Sequence, residues 1–210
     1  LACKTQKRDA AGSRDELDAS LRRMGVDHFD LYQFHAVTRM ADVDRIFAPF
    51  LAIETFEQAR EAGKVRHLGF SAHSEQAGLA LLERFNFDSA LYPVNYVCWE
   101  QGGFGPRVVP KARKKGVAVL ALKSLAYTPW AEGETRTVKK TWYRPIVDVD
   151  RARDAMRFTL AQDATSLIPP GNERIYNIAL DLAADLQPMH AEEQATFLAS
   201  TQGLTPLFRA

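Results

Sequence analysis

Short apolar runs alternate along this chain with longer stretches of helical periodicity, and this alternation constrains the fold more than any other feature. Such an order is typical of a parallel sheet whose strands are joined by crossover helices. The apolar runs predict six strands, which begin near residues 1, 29, 66, 89, 117 and 166. We therefore expect an α/β fold of six strand–helix units, with one further helix at residues 191–200.

The helical stretches between these strands differ in how clearly their ends are marked. The clearest covers residues 13–24, where Ser13 and Glu16 have the spacing of a capping box and Gly25 follows the last residue. Other helices are predicted at residues 49–62, 74–84, 106–115, 150–162 and 172–186. Residues 36–48 are predicted to be a loop. Residues 126–149 are too many for an ordinary connection and predict either a lid or a packed insertion.

Composition excludes several classes of function. The chain has 210 residues, 46% of them hydrophobic, which is enough for one domain with its own core. A net charge of +1 favours no nucleic-acid partner, and no apolar run is long enough to span a bilayer. Cys3 and Cys98 are too few for a disulfide framework or a metal cluster. Both stand in apolar contexts typical of strands, so buried free thiols are predicted, and a cytoplasmic location fits them.

A lysine and a histidine end two neighbouring predicted strands. Lys4 ends the first strand, and His35 ends the second, which reads Asp30-Leu31-Tyr32-Gln33-Phe34-His35. In α/β barrels the carboxyl ends of the strands carry the chemistry, so we expect the two side chains to face each other there. Taken separately, each has a plainer interpretation, since a strand-end lysine is usually solvated and a lone histidine is usually structural.

The blocks at residues 3–5, 15–25, 27–35 and 62–71 resemble, in order and spacing, those of the aldo/keto reductases. The resemblance implies a (β/α)8 TIM barrel, of which this chain looks like about six of the eight units, the third to the eighth, plus a C-terminal helix. It also implies reversible hydride transfer from NADPH to an aldehyde or ketone, a small-molecule carbonyl substrate.

The same resemblance implies catalytic roles. In that family a Tyr protonates the oxyanion, a Lys paired with an Asp lowers the pKa of that Tyr, and a His orients and polarises the carbonyl. Lys4 and His35 match the Lys and the His. The Tyr and the Asp would precede Leu1, so we expect residues 1–210 to be an N-terminally truncated single domain that is not competent alone.

The resemblance further implies a path for the cofactor. Ser71 would hold the nicotinamide carboxamide with help from Asn95, and Leu122 would pack against the ring. Lys123 would contact a phosphate. The turn before the last β/α helix would receive the adenosine end through Gly171, Asn172 and Arg174, with Arg174 near the 2′-phosphate.

Two other interpretations remain open for the whole chain. It could be a non-catalytic relative that binds a nucleotide or a partner chain, or a truncated product with no function of its own. An incomplete barrel would also leave unpaired strand edges, which predicts self-association.

Overall fold

The computed structural model describes residues 1–210 and has an α/β fold. Six parallel strands form one sheet in the order β1-β2-β3-β4-β5-β8, and β6 and β7 form a separate antiparallel pair. The strands are β1 Ala2–Thr5, β2 Phe29–Val37, β3 Val65–Ala72, β4 Ser89–Pro93, β5 Ala118–Leu122, β6 Ala126–Pro129, β7 Tyr143–Pro145 and β8 Ser166–Ile168. The predicted order of six parallel strands is therefore confirmed.

Helices follow most strands of the sheet. They are α1 Ala10–Met24, α2 Met40–Phe47, α3 Ala52–Glu61, α4 Glu75–Arg84, α5 Tyr96–Gly102, α6 Val108–Lys114, α7 Val149–Ala161, α8 Glu173–Ala183 and α9 Ala191–Ala199. No helix has both the length and the apolar character needed to cross a membrane.

The chain divides into two compact units. Unit 1 comprises Leu1–Leu91 and Lys111–Ala118, and unit 2 comprises Tyr92–Pro110 and Val119–Ala210. The single domain expected from the sequence stays a prediction.

In unit 1 one face of the sheet is apolar and packs against helices. Phe34 stacks on Phe56 of α3 with ring centroids 3.9 Å apart. The ring centroid of Tyr32 lies 4.8 Å from that of Phe56. Tyr32 and Phe34 are completely buried. Side chains alternate along a strand, so His35 points to the face opposite that of Tyr32 and Phe34.

The opposite face of the unit 1 sheet carries a row of small and polar residues. Parallel register places Lys4 beside Gln33, Gln33 beside Gly69, and Gly69 beside Ser89. Gln33 and Ser89 are buried, and the Gln33 amide donates a 3.2 Å hydrogen bond to the Ser89 hydroxyl. A Cβ on Gly69 would lie 2.8 Å from the carbonyl oxygen of Ser89, so only glycine fits between them.

Unit 2 has its own apolar cluster, to which residues 126–149 contribute. Val138 and Ile146 from this segment are buried with Met156 and Phe158 of α7. Tyr127 and Trp130 pack against the same cluster while staying partly exposed. The segment is therefore built into the core of unit 2, which favours the packed insertion over the lid.

Several local predictions were wrong, and each has a physical reason. Helix α1 begins at Ala10 because the Asp9 side chain accepts the Gly12 N–H, so Ser13 lies inside the helix and forms no capping box. Residues 36–48 are not all loop, since Val43 and Ile46 are buried one helical turn apart in α2. The next helix begins at Ala52, and Pro49 precedes it.

Cys98 was also misassigned. It lies on α5, a helix that the sequence did not predict, and not in a strand context. The thiol is buried, but Cys3 is only partly buried, so the prediction of two buried free thiols holds for Cys98 alone.

Candidate active site

Lys4 and His35 lie on the same face at the carboxyl ends of β1 and β2. Lys4 is beside Gln33, and His35 is two residues further along the same strand, so all three side chains share one face. Lys4 is exposed and His35 is half-buried. The two predicted catalytic residues are therefore together in unit 1.

The surroundings of His35 lower its pKa. Burial lowers the pKa of the His35 imidazole, and the charges of Lys4 and then Arg8 lower it further, while Glu16 opposes them. The ordinary pKa of a histidine is 6.5, so a lowered pKa leaves the His35 ring predominantly neutral at pH 7. A neutral imidazole has one N–H to donate and one nitrogen to accept.

Arg8 holds the backbone around His35. Its guanidinium donates to the His35 carbonyl oxygen at 2.6 Å and to the Thr5 carbonyl oxygen at 3.3 Å, which ties the ends of β1 and β2 together. Ala36, the next residue, has a φ of 53°, and the strand pairing shifts between Phe34 and Val37. Such a bulge redirects a side chain at the end of a strand.

Ser71 lies near the end of β3. Its side chain is 1% exposed, and its backbone pairs with Leu91 of β4. It is two residues beyond Gly69 and so lies on the face that carries Gln33 and His35. Its predicted contact with the nicotinamide carboxamide stays a prediction.

In unit 2 the end of β5 carries Leu122 and Lys123. Leu122 pairs with Ile168 of β8 and is half-buried. The Lys123 ammonium lies 4.8 Å from the ring centroid of Tyr143 and 5.5 Å from that of Trp142. The aromatic rings from residues 126–149 therefore position this cation, a contact that the sequence did not predict.

Asn95 has a structural role that the sequence did not indicate. It is completely buried and caps α5, where its oxygen accepts the Cys98 N–H. Its nitrogen donates to the carbonyl oxygens of Lys123 and Ala126 at 3.0 and 2.7 Å. The amide uses both of its hydrogens in the turn that carries Lys123, and its predicted cofactor contact stays a prediction.

The turn between β8 and α8 carries the other three predicted cofactor residues. Asn172 caps α8 by accepting the Ile175 N–H, and its nitrogen donates to the Lys139 carbonyl oxygen. Gly171 has no atom within 4 Å of the place where a Cβ would lie. Arg174 is exposed at the start of the helix.

The six tyrosines are poorly suited to act as proton donors. Burial raises the pKa of Tyr32, and it raises those of Tyr96 and Tyr143 to about 12. A catalytic acid at neutral pH needs a shift in the other direction. Tyr92 is completely buried, Tyr127 packs against the apolar cluster of unit 2, and Tyr176 is exposed on α8.

The sequence analysis missed Arg8 and the polar pair Gln33 and Ser89. A signal for Arg8 was present, since a second and a third cation follow Lys4 closely in the sequence. Gln33 was detectable as a polar residue between the apolar residues Tyr32 and Phe34 of a predicted strand. Its partner Ser89 is 56 residues away, which no local pattern reveals.

A parallel α/β sheet with candidate chemistry at the strand carboxyl ends belongs to the class that includes TIM barrels. The model of the aldo/keto reductase family matches residues 3–187. The chain belongs to the aldo/keto reductase family, and the resemblance inferred from its sequence is confirmed. Members of this family are oxidoreductases that bind NAD(P)H and act on small-molecule substrates.

Solved structures agree with this fold. The chain is similar to the holo form of an aldo-keto reductase from Bacillus halodurans, with 21% identity and a TM-score of 0.69 over 99% of this chain and 73% of that one. It is also similar to a Bombyx mori aldo-keto reductase in complex with NADP, with 17% identity and a TM-score of 0.66 over 98% and 69%. Such enzymes are (β/α)8 barrels, so the predicted fold class is confirmed.

Curated proteins also match part of the chain. The uncharacterized oxidoreductase YrpG of Bacillus subtilis is 29% identical over 116 residues, which are 54% of this chain and 34% of that protein. The match therefore spans about a third of the relative's own length.

Proposed function

We propose that this chain carries the carbonyl-binding and NADPH-binding parts of an aldo/keto reductase that reduces aldehydes or ketones. The observation that carries the proposal is the position of Lys4 and a neutral His35 on one face at the strand carboxyl ends. A family member needs both residue types there, next to the carbonyl oxygen.

His35 binds and polarises the carbonyl in this proposal. Its lowered pKa keeps the ring neutral, so the N–H can donate a hydrogen bond to the substrate oxygen without giving up its proton. Arg8 holds the His35 backbone through the 2.6 Å bond to its carbonyl oxygen. The ring is thus positioned before the substrate binds. Electrostatic stabilisation is most effective when the stabilising groups are already in place.

Lys4 supplies a fixed positive charge on the same face. Hydride addition leaves negative charge on the carbonyl oxygen, and a nearby cation stabilises that charge. Lys4 is exposed, so water screens its charge more than it would screen a buried one. Its effect is therefore expected to be smaller than that of His35.

The residues of unit 2 fit a nicotinamide dinucleotide phosphate. The first N–H groups of α8 have no acceptor within the helix, and Gly171 leaves open space beside them, an arrangement that suits a phosphate. Arg174 and Lys123 add positive charge, and Leu122 offers an apolar surface for a ring. When bound, the cofactor supplies the hydride.

Proton donation is the part of the reaction for which these 210 residues offer no suitable tyrosine. No tyrosine with a resolved shift has a lowered pKa, and Tyr32 points away from the face that carries His35. We therefore propose that residues 1–210 bind cofactor and substrate but do not turn over alone. Losing a general acid typically lowers the rate by about 10²–10⁴.

Binding and turnover should be measured separately. Quenching of tryptophan fluorescence by NADPH and by NADH tests the cofactor, and we expect tighter binding of NADPH because Arg174 and Lys123 are cationic. Equal or reversed affinities would contradict the preference for NADPH. No binding of either would contradict the proposed function.

Turnover should be assayed with NADPH and a reactive aldehyde, beside His35→Ala and the exposed control His67→Ala. We expect no turnover above the background of the assay for any of the three proteins. Activity that disappears only in His35→Ala would show that residues 1–210 contain a proton donor, and the claim of incompetence would be wrong.

Self-association forms part of the proposal because the sheet has two outer strands. β1 pairs only with β2, and β8 pairs only with β5. Unpaired strand edges favour association between chains. Light scattering on the purified chain is expected to show oligomers, and a stable monomer would contradict this. A cytoplasmic location stays a prediction.

A further inference from the structure

Unit 1 contains a cavity of about 460 Å³ beside His35, at the carboxyl ends of β1 and β2. The segments after the two strands, residues 6–9 and 35–45, line it. Four of the lining side chains are cationic, namely Lys7, Arg8, Arg39 and Arg45. The cavity therefore adds a cluster of cationic side chains to the site that carries Lys4 and His35.

The charges of this cavity are not balanced. Against the four cations stand two carboxylates, Asp9 and Asp42, which leaves an excess of two positive charges while His35 is neutral. Asp42 pairs with Arg39 at 3.8 Å, and the Asp9 oxygen accepts the Gly12 N–H as the cap of α1. Lys7 and Arg45 are both exposed, and the ion pair at the cavity joins Arg39 to Asp42.

Arg8 is the buried member of the set. Only 6% of the residue is exposed, and its terminal nitrogens donate to the carbonyl oxygens of Thr5, Lys7 and His35. Its Nε is buried without a hydrogen-bond partner, and no carboxylate pairs with the guanidinium. Asp42 and Glu16 attract the guanidinium without contacting it, but burial is the largest effect and lowers its pKa. Burying a cation without a carboxylate in contact is costly, and a bound anion would offset that cost.

We propose that this cavity binds an anionic group, carboxylate or phosphate, of the carbonyl substrate. The inference rests on the proposed function and deepens it by naming the substrate class, aldehydes or ketones that carry such a group. His35 lines the cavity, so a substrate whose anion lies among the cations can place its carbonyl at the imidazole. Guanidinium groups suit both oxyanions because their donors match the geometry of two oxygens.

Matched pairs of probes test the inference without turnover. We would measure binding by ligand-observed NMR at low salt for 4-oxopentanoate against 2-pentanone, and for dihydroxyacetone phosphate against dihydroxyacetone. In at least one pair, the charged probe is expected to bind at least roughly fivefold more tightly than the neutral probe. Added salt should weaken the binding of the charged probe. The two pairs distinguish the carboxylate from the phosphate. Equal binding of charged and neutral members in both pairs would overturn the inference.

Variants at the exposed rim locate the binding. Lys7→Gln and Arg45→Gln are each expected to weaken the charged probe about two- to fivefold, with no change for the neutral probe. Arg60→Gln on α3 and Lys114→Gln on α6 are controls, since both side chains are exposed away from the cavity lining. Equal losses in the controls, or no loss at Lys7 and Arg45, would show that the cavity is not the site.

The experiment separates this inference from the proposed function. Probe binding is measured without NADPH, whereas the proposed function fails if NADPH itself does not bind. Binding of inorganic phosphate alone, with no preference for either carbonyl probe over it, would mean a simple anion site and would overturn the substrate assignment.

Discussion

Lys4 lies beside Gln33 in the β1–β2 pairing, two residues before His35 on the same face, and its charge acts on the His35 ring. Burial is the larger cause of the lowered pKa of His35, and Lys4 is the next. The lysine and the histidine are thus coupled through space at the strand ends.

The first prediction tests this coupling. Lys4→Gln should raise the pKa of His35 toward its ordinary value but leave it below, because burial of the ring is unchanged. An NMR titration of the five histidines, with His35 assigned through a His35→Gln variant, measures the shift. The exposed control Lys114→Gln should leave the His35 titration unaltered. An unchanged pKa in Lys4→Gln would rule out the coupling.

The second prediction concerns stability against pH. The folded pKa of His35 is below the unfolded value near 6.5, so on acidification the unfolded state binds the proton first. The contribution of His35 to the free energy of unfolding is therefore full above about pH 6.5 and declines as the pH falls toward the folded pKa.

Urea unfolding of the wild type and His35→Gln at about pH 7.5 and pH 5.5 measures this decline. The wild type should lose more free energy of unfolding between the two pH values than the variant does. Lys4→Gln should show an intermediate loss because it raises the folded pKa. A larger loss in His35→Gln than in the wild type would reverse the sign and refute the argument.

The third prediction concerns the close approach at Gly69. A Cβ there would lie 2.3 Å from the Ser89 hydroxyl, 2.8 Å from the Ser89 carbonyl oxygen and 3.1 Å from Gln33 Cγ. The hydroxyl can rotate away, but the carbonyl belongs to β4 and cannot. Gly69→Ala should therefore lower the free energy of unfolding by about 1–3 kcal/mol. Gly171→Ala, which meets open space, is the control.

The fourth prediction separates the two thiols. Burial raises the pKa of Cys98 to about 11, whereas Cys3 is partly exposed. A thiol reagent at about pH 8 should modify Cys3 in the folded chain and leave Cys98 intact until denaturant is added, because only the thiolate reacts. Peptide mapping by mass spectrometry assigns the sites. Modification of Cys98 at the rate of Cys3 would contradict its burial.

Much of the fold could be predicted because local signals coincided with it. The helix before β2 ends at Gly25, which has the left-handed conformation that a glycine permits, and the strand follows at once. Helix α2 was missed because it has only eight residues and Arg39 provides no side-chain cap. Helix α5 was missed because its cap, Asn95, follows the strand almost directly.

The candidate site could be predicted only where it depends on strand ends. The alternation of strands and helices predicts that Lys4 and His35 lie close together, because the carboxyl ends of parallel strands lie at one edge of the sheet. The cavity around Arg8 could not be predicted, because it depends on how the segments after β1 and β2 meet. The structural role of Asn95 could not be predicted, because its bonds to residues 28 and 31 positions away leave no local trace.

The last prediction concerns Asn95. Its amide holds the carbonyl oxygens of Lys123 and Ala126 and caps α5, so Asn95→Ala leaves buried groups without partners. We expect a loss of about 2–4 kcal/mol in the free energy of unfolding, more than the cost of a cap alone. NADPH should bind more weakly to the folded variant, because Lys123 has a φ of 68° that the amide helps to hold. The exposed control Asn86→Ala should change neither quantity. Weaker NADPH binding with unchanged stability would instead indicate direct contact with the cofactor.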